Sequence, residues 1–228
     1  RKTILTRGMN NYLIKKYNDP NYIHIFENKD EFLIRFKKYI KRDFLILDGK
    51  NKTDFIEFSK KHNSFMAKPR NGSCGKGIKI IKDVKDYDKV YNDLYENNLI
   101  VLEELIKQNE VLNKLNSSCI NTIRIVTIND HDDVSVVASY LRIGNNNFVD
   151  NFNSGGMVVP IEIENGKIIY PALDKSNNLY EIHPVSKTKI KGFEIPDWNE
   201  ILELSKKLAK EIKEVGIIGW DIALTTKG

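Results

Sequence analysis

The stretch Phe65-Met-Ala-Lys-Pro-Arg-Asn-Gly-Ser-Cys-Gly-Lys-Gly-Ile-Lys-Ile-Ile81 constrains the chain more than any other. Phe65, Met66 and Ala67 predict a short apolar strand ending at Lys68, and Ile78, Ile80 and Ile81 resume an apolar, β-branched run. Between them lie Gly72, Gly75 and Gly77 with Ser73, Arg70 and Lys76. The pattern is a hairpin whose tip has no side chain to bury. Glycines let backbone N–H groups converge, and such concavities hold anions. Lys76 adds charge at the tip and Lys68 at the base. A P-loop is excluded, because it needs G-x-x-x-x-G-K-[ST] opening a helix. Here Gly72-x-x-Gly75-Lys76-Gly77 has other spacing, lacks Ser or Thr after the lysine, and runs into a strand. A plain surface turn uses the same residue types, so the loop alone leaves anion holder and turn level.

Around this hairpin the periodicities alternate between helix and strand. Asn28 to Glu31 predicts a helix start, with Phe32, Leu33, Phe36, Tyr39 and Ile40 at helical spacing. Phe44–Leu47 predicts a buried strand, and Thr53–Lys61 a helix with Phe55 and Phe58 inward. Tyr87, Val90, Tyr91 and Leu94 mark another helix, followed by a strand over Leu99–Leu102. Thr122–Ile128 alternates, with Ile123, Ile125 and Thr127 on one face and Arg124 on the other. Val134–Ile143 predicts its hairpin partner. Met157–Ile163 and Lys167–Tyr170 predict a further hairpin across a type I′ turn at Asn165-Gly166. Trp198–Val215 predicts the longest helix, striped by Ile201, Leu204, Leu208 and Ile212, and Gly219–Leu224 a last strand. The order predicts an α+β fold in two lobes, the boundary falling near Leu102 to Glu104.

Composition excludes more than it identifies. The 228 residues carry 36 Lys and Arg against 31 Asp and Glu, and the net charge of +5 is spread rather than blocked. No basic stripe with interleaved aromatics points to nucleic acid. No apolar run approaches the roughly 20 residues of a bilayer span, and the first residues lack the apolar core of a secretory signal. Cys74 and Cys119 have no metal-ligand spacing, so a reduced, cytoplasmic setting is the expectation.

The succession of motifs resembles the ATP-grasp superfamily, and most closely the sugar-transfer-associated ATP-grasp proteins of bacterial and archaeal polysaccharide gene clusters. The resemblance rests on Ile23–Lys29, Ala67-Lys-Pro69 with its glycine loop, Glu103-Glu-Leu-Ile106 and Cys119–Arg124. It continues through Val149-Asp-Asn151 with Gly155-Gly156, His183-Pro184 and Gly219-Trp-Asp221. It implies an ATP-grasp fold in which two α+β lobes clamp a nucleotide between antiparallel sheets. The implied divisions are residues 1–62, a small lobe 63–103 with the lid loop, and a large lobe 104–228.

The resemblance also assigns roles. Lys68 would reach the α- and β-phosphates, and the loop with Gly72, Ser73, Gly75, Lys76 and Gly77 would close over them. Lys29 matches a second lysine near the nucleotide. The backbone of Glu103, Glu104, Leu105 and Ile106 would read adenine, and Glu110 would take the ribose hydroxyls. Arg124 would steady the phosphoryl in transfer, with Arg142 a weaker candidate, and Asn151 would approach the γ-phosphate. Asp221 would bind Mg²⁺; the family's Glu-x-Asn, which supplies further metal ligands, is expected beyond Gly228. Each residue also has a bland alternative, such as a solvated strand-end lysine, an acidic helix start or a surface arginine. His183, with Lys187 and Lys189, is either an acceptor-site element or a structural histidine.

The implied activity is Mg·ATP-dependent joining of a carboxylate to an amine through an acyl phosphate, with substrates that include sugar-linked ones. Two alternatives share the nucleotide half: a kinase acting on a hydroxyl, and a nucleotide-binding module without turnover.

Overall fold

The computed structural model describes residues 6–72, 75–131, 133–146 and 149–228. The chain opens with α1 (Arg7–Tyr17), capped by Thr6, whose hydroxyl accepts from the Met9 N–H. It then divides by contact into two units, Ile23–Ile106 and a larger one made of residues 1–22 and 107–228. Residues 23–62 and 63–106 thus lie in the same unit, while residues 1–22 belong to the other. Residues up to Tyr22 join the larger unit because Gly216 N–H donates to the Tyr17 carbonyl and Asn18 exchanges two hydrogen bonds with Ile217.

The smaller unit runs α2 (His24–Glu27), α3 (Lys29–Arg35), β1 (Phe44–Ile46), α4 (Lys52–Lys61), β2 (Ser64–Lys68), β3 (Lys79–Lys82), α5 (Tyr87–Glu96) and β4 (Val101–Glu104). Its four strands form an antiparallel sheet in the order β1-β4-β2-β3. Phe55 and Phe58 of α4 and Tyr91 and Leu94 of α5 pack with Phe65, Ala67 and Leu102 of the sheet into one apolar core. Each such buried aromatic or Leu contributes roughly 1.5–3 kcal/mol. The period-2 pleat then assigns the other face: Lys68 and Glu103 point away from Ala67 and Leu102. The strand predicted over Leu99–Leu102 is displaced to Val101–Glu104, since β4 pairs with both β1 and β2 and that shared register outweighs its local apolar run. Glu103 and Glu104 are thus strand residues, not the start of an acidic helix.

The larger unit continues with α6 (Glu110–Leu115), β5 (Thr122–Asp130), β6 (Asp133–Ile143), β7 (Met157–Pro160), β8 (Ala172–Asp174), β9 (Leu179–Tyr180), α7 (Trp198–Lys210) and β10 (Ile217–Ile222). Its sheet is antiparallel in the order β10-β5-β6-β7-β8-β9. Ile123, Ile125 and Thr127 are fully buried on one face, as their alternation predicted. Helix α7 packs on β5, β6 and β10 through Ile201, Ser205, Leu208 and Ala209. Ser205 takes the stripe position expected of Leu204, its hydroxyl donating to the Ile201 carbonyl one turn earlier. The helix stops at Lys210, short of the predicted Val215, and Ile212 is buried beyond it.

The hairpin predicted over Met157–Tyr170 does not form as drawn. Strand β7 pairs with β8, and Gly166 has a φ of +73° while Asn165 does not share the left-handed conformation a type I′ turn needs. The cause is tertiary. Trp198 lies so close that a Cβ on Gly166 would sit 2.6 Å from its Cγ, and the indole N–H donates to the Ile163 carbonyl at 2.8 Å.

Candidate functional site

In the smaller unit the candidate residues gather around one carboxylate. Glu103 sits opposite Phe44 on one neighbouring strand and Met66 on the other. Arg42 and Lys68, each two residues from those partners, reach it diagonally. Arg42 Nε and Lys68 Nζ both donate to Glu103 Oε2, at 2.7 and 2.8 Å. The Glu103 side chain is 8% exposed. Burial pushes its carboxyl up, but Arg42 and Lys68 outweigh burial and hold it below the usual range. Lys29 feels the same cluster: burial and the neighbouring Lys68 charge pull its ammonium pKa down. Three cations around a single carboxylate leave two positive charges over, a setting that attracts a polyanion.

Lys29 also ties the glycine loop to α3. Its Nζ donates to the Gly72 carbonyl at 2.8 Å, and its N–H donates to the Arg70 carbonyl. Arg70 in turn grips Asp30 and Glu31 at 2.9 and 2.7 Å. Gly72, Gly75 and Gly77 all have positive φ, which only glycine adopts cheaply. Gly75, Lys76 and Gly77 are exposed. Ser73 falls outside the described residues.

Glu104 is committed locally, its carboxylate accepting from the Asp43 N–H at 3.0 Å. Leu105 and Ile106 are half-buried at the end of this unit. Glu110, by contrast, is an exposed first residue of α6 in the larger unit.

A second cluster lies on the larger unit's sheet, where Asp221, Arg124 and Tyr140 stand in one cross-strand row. Arg124 grips Asp221 through Nε and Nη2 at 2.5 and 2.6 Å, a bidentate pair. Burial lowers the Arg124 pKa, but the Asp221 carboxylate more than restores it. Arg142 Nη1 reaches both Asp221 oxygens at 3.2 Å, and its Nη2 donates to Asp150 at 3.1 Å and Asn151 Oδ1 at 2.6 Å. Asp150 is fixed by the Thr122 N–H at 2.8 Å. Asn151 is held by its loop, since Ser154 and Gly156 N–H groups donate to its carbonyl. A Cβ on Gly156 would collide with the Asp150 carbonyl, so the loop needs glycine there.

The structure thus joins Lys29, Lys68 and Glu103 in one unit, and Arg124, Arg142, Asn151 and Asp221 in the other. Arg42 and Asp150 escaped the sequence reading, because neither sits in a motif and only strand register reveals their partners. His183 is structural. It is fully buried, its Nε2 donates to the Gly144 carbonyl at 2.8 Å, and its Nδ1 accepts from the Val185 and Ser186 N–H groups. Both of its ring nitrogens are thus spent on backbone groups.

As to metal, no group of three or more His, Cys, Asp or Glu side chains gathers among the described residues. Mg²⁺ is commonly held by one or two carboxylates, with waters and phosphate oxygens completing the shell. Asp221, 45% exposed, fits as one such anchor.

The fold is that of ATP-grasp proteins. The chain belongs to the sugar-transfer associated ATP-grasp family, whose model matches residues 8–228. No curated protein has a matching sequence. Among solved structures it is similar to the ATP-grasp ligase PsnB complexed with minimal precursor, at 13% identity and a TM-score of 0.54, covering 93% of this chain and 52% of that one. It is also similar to D-alanyl-alanine synthetase A from Vibrio cholerae, at 10% identity and a TM-score of 0.52, covering 90% and 52%. A third is N5-carboxyaminoimidazole synthase from Aspergillus clavatus in complex with ADP, at 10% identity and a TM-score of 0.56, covering 92% and 44%. At these identities the likeness is one of fold, and the chain spans about half the length of those structures.

Proposed function

We propose that the protein is a Mg·ATP-dependent ligase that joins a carboxylate to an amine, serving cell-surface polysaccharide or glycoconjugate synthesis. The observation that carries this reading is the buried Glu103 with Arg42, Lys68 and Lys29 around it, in a chain of ATP-grasp fold. Lys29 and Lys68 take the nucleotide phosphates, and Glu103 holds Lys68 in place while Arg42 shares its charge. The backbone from Glu103 to Ile106 supplies fixed N–H and C=O groups to the adenine edge. Gly72 to Gly77 covers the phosphates.

In the larger unit Arg124 stabilises charge on the phosphoryl group in transfer, and Asn151 donates to it. The substrate carboxylate attacks the γ-phosphorus and ADP leaves. The amine then attacks the acyl carbon, phosphate departs, and the amine nitrogen gives up a proton. Asp221 would anchor Mg²⁺, which supplies charge neutralisation to the phosphates when bound. Catalysis here is mainly positioning and electrostatics. The sugar-linked substrate class follows from the family's name alone. No helix among the described residues is long and apolar enough to cross a membrane.

Calorimetric titration of Mg·ATP, beside ADP, GTP and a metal-free control, tests the reading. Binding that requires Mg²⁺ and favours adenine is expected, with Lys68→Ala weakening it by about tenfold or more. Unchanged binding in Lys68→Ala removes the nucleotide site from this cluster.

A further inference from the structure

A cavity of about 510 Å³ lies beside the arginine cluster of the larger unit, walled by Val158, Pro160, Ile163, Pro171 and Leu173, with Tyr140 among its lining residues. That volume falls within the roughly 300–1,000 Å³ of small-molecule pockets. Strand register places it. Arg124 stands opposite Tyr140 and Tyr140 opposite Pro160, while Arg142 stands opposite Val158 and Val158 opposite Leu173. The cavity and the two guanidiniums therefore share one face of the sheet.

The polar side chains in the lining are few, Ser139 and Tyr140. Ser139, also in the lining, spends its hydroxyl on the Ile161 carbonyl at 2.7 Å. Tyr140 makes no hydrogen bond through its hydroxyl among the described residues. Arg124 uses Nε and Nη2 on Asp221, which leaves Nη1 without an acceptor among the described residues. An apolar wall with the Tyr140 hydroxyl in it and Arg124 at the cross-strand position beside Tyr140 suits a ligand that is apolar in its body and anionic at its tip. A sugar in the same cavity would leave hydroxyls without partners against Val158, Pro160 and Leu173, at a cost of about 1–3 kcal/mol each.

We propose that this cavity seats the acid substrate, a carboxylic acid with an aromatic or branched-aliphatic body, its carboxylate meeting Arg124 Nη1 and the Tyr140 hydroxyl. The inference rests on the ligase reading for the acid's role as substrate. The amine partner is then the component that carries the sugar.

Fluorescence titration of 2-naphthoate, against 2-naphthylmethanol and acetate, tests it on the full chain. The expected result is saturable binding of naphthoate about tenfold tighter than either control. Leu173→Glu should lose about tenfold in naphthoate affinity while keeping the wild-type circular dichroism and Mg·ATP affinity. Tyr140→Phe, which leaves the wall intact, should weaken naphthoate several-fold and leave naphthylmethanol unchanged. Equal binding of naphthoate and naphthylmethanol overturns the proposal, as does indifference to both substitutions. Displacement of naphthoate by ATP also overturns it, by reassigning the cavity to the adenine base. Naphthoate binding without Mg·ATP binding supports the cavity and sinks the ligase reading; Mg·ATP binding without naphthoate binding does the reverse.

Discussion

Glu103 and Asp221 are both strand carboxylates gripped by two cations, yet they live in different dielectric settings. Glu103 offers a single oxygen to Arg42 and Lys68 and is 8% exposed; Asp221 spreads both oxygens over Arg124 and Arg142 and is 45% exposed. A buried carboxylate cannot lose a partner without leaving charge uncompensated in low dielectric. An exposed one can change partners at little cost, because water screens it. The first therefore works as a fixed post that orients Lys68. The second can exchange one guanidinium for another partner, which is what the role proposed for it at a metal ion and for Arg124 at a phosphate would use. Similar chemistry is thus built once for rigidity and once for exchange.

Removing the carboxylate charge from each post should separate them most sharply. Glu103→Gln strands Arg42 and Lys68 and is expected to cost about 3–5 kcal/mol, read by urea unfolding of the smaller unit's core. A loss under about 1 kcal/mol there would put Glu103 in the same class as Asp221.

Acid titration sharpens the contrast further. Because the folded-state pKa of Glu103 is depressed, its contribution is full above the ordinary carboxylate value of about 4.3 and is lost as pH falls through the lower folded value. The wild-type protein should therefore lose stability below about pH 4 by a component that Glu103→Gln lacks. Parallel acid limbs for the two proteins would show that the pair contributes nothing.

Gly219 offers a smaller structural effect with a larger functional one. A Cβ there would lie 2.9 Å from Arg124 Nη1, the movable end of a long side chain. Gly219→Ala should cost only about 1 kcal/mol of stability, while shifting Arg124 enough to slow ATP turnover roughly tenfold to a hundredfold. Wild-type turnover in that variant would remove Arg124 from the reaction.

Asp221→Asn should be the quietest in stability, within about 1 kcal/mol of wild type in thermal unfolding. Its effect belongs in the Mg²⁺ dependence of nucleotide binding. Metal dependence that matches wild type would take Asp221 out of the metal site.

Several elements were readable from local pattern alone. Phe65 to Lys68, the α4 positions Phe55 and Phe58, and the alternation of Ile123, Ile125 and Thr127 all turned up where periodicity put them, because burial of one face dictates the spacing. Lys68 was legible as a strand-end cation before a glycine loop, and it lies in the cluster around Glu103. The partners were not legible. Arg42 lies 61 residues from Glu103 and Asp221 lies 97 from Arg124, and no local rule links residues at such separations.

What the sequence by itself determined is therefore the strand ending at Lys68, helix α4, the alternation along β5 and the family, each fixed by short-range spacing or by motif order. What only the tertiary structure decided is which charges meet and which are buried. The position of β4 follows from pairing with β1 and β2, the turn at Gly166 from the indole of Trp198, and the burial of His183 from the carbonyl of Gly144. The physical reason is common to all three. Hydrogen bonds and close packing across long separations outweigh local preferences of about 1 kcal/mol or less.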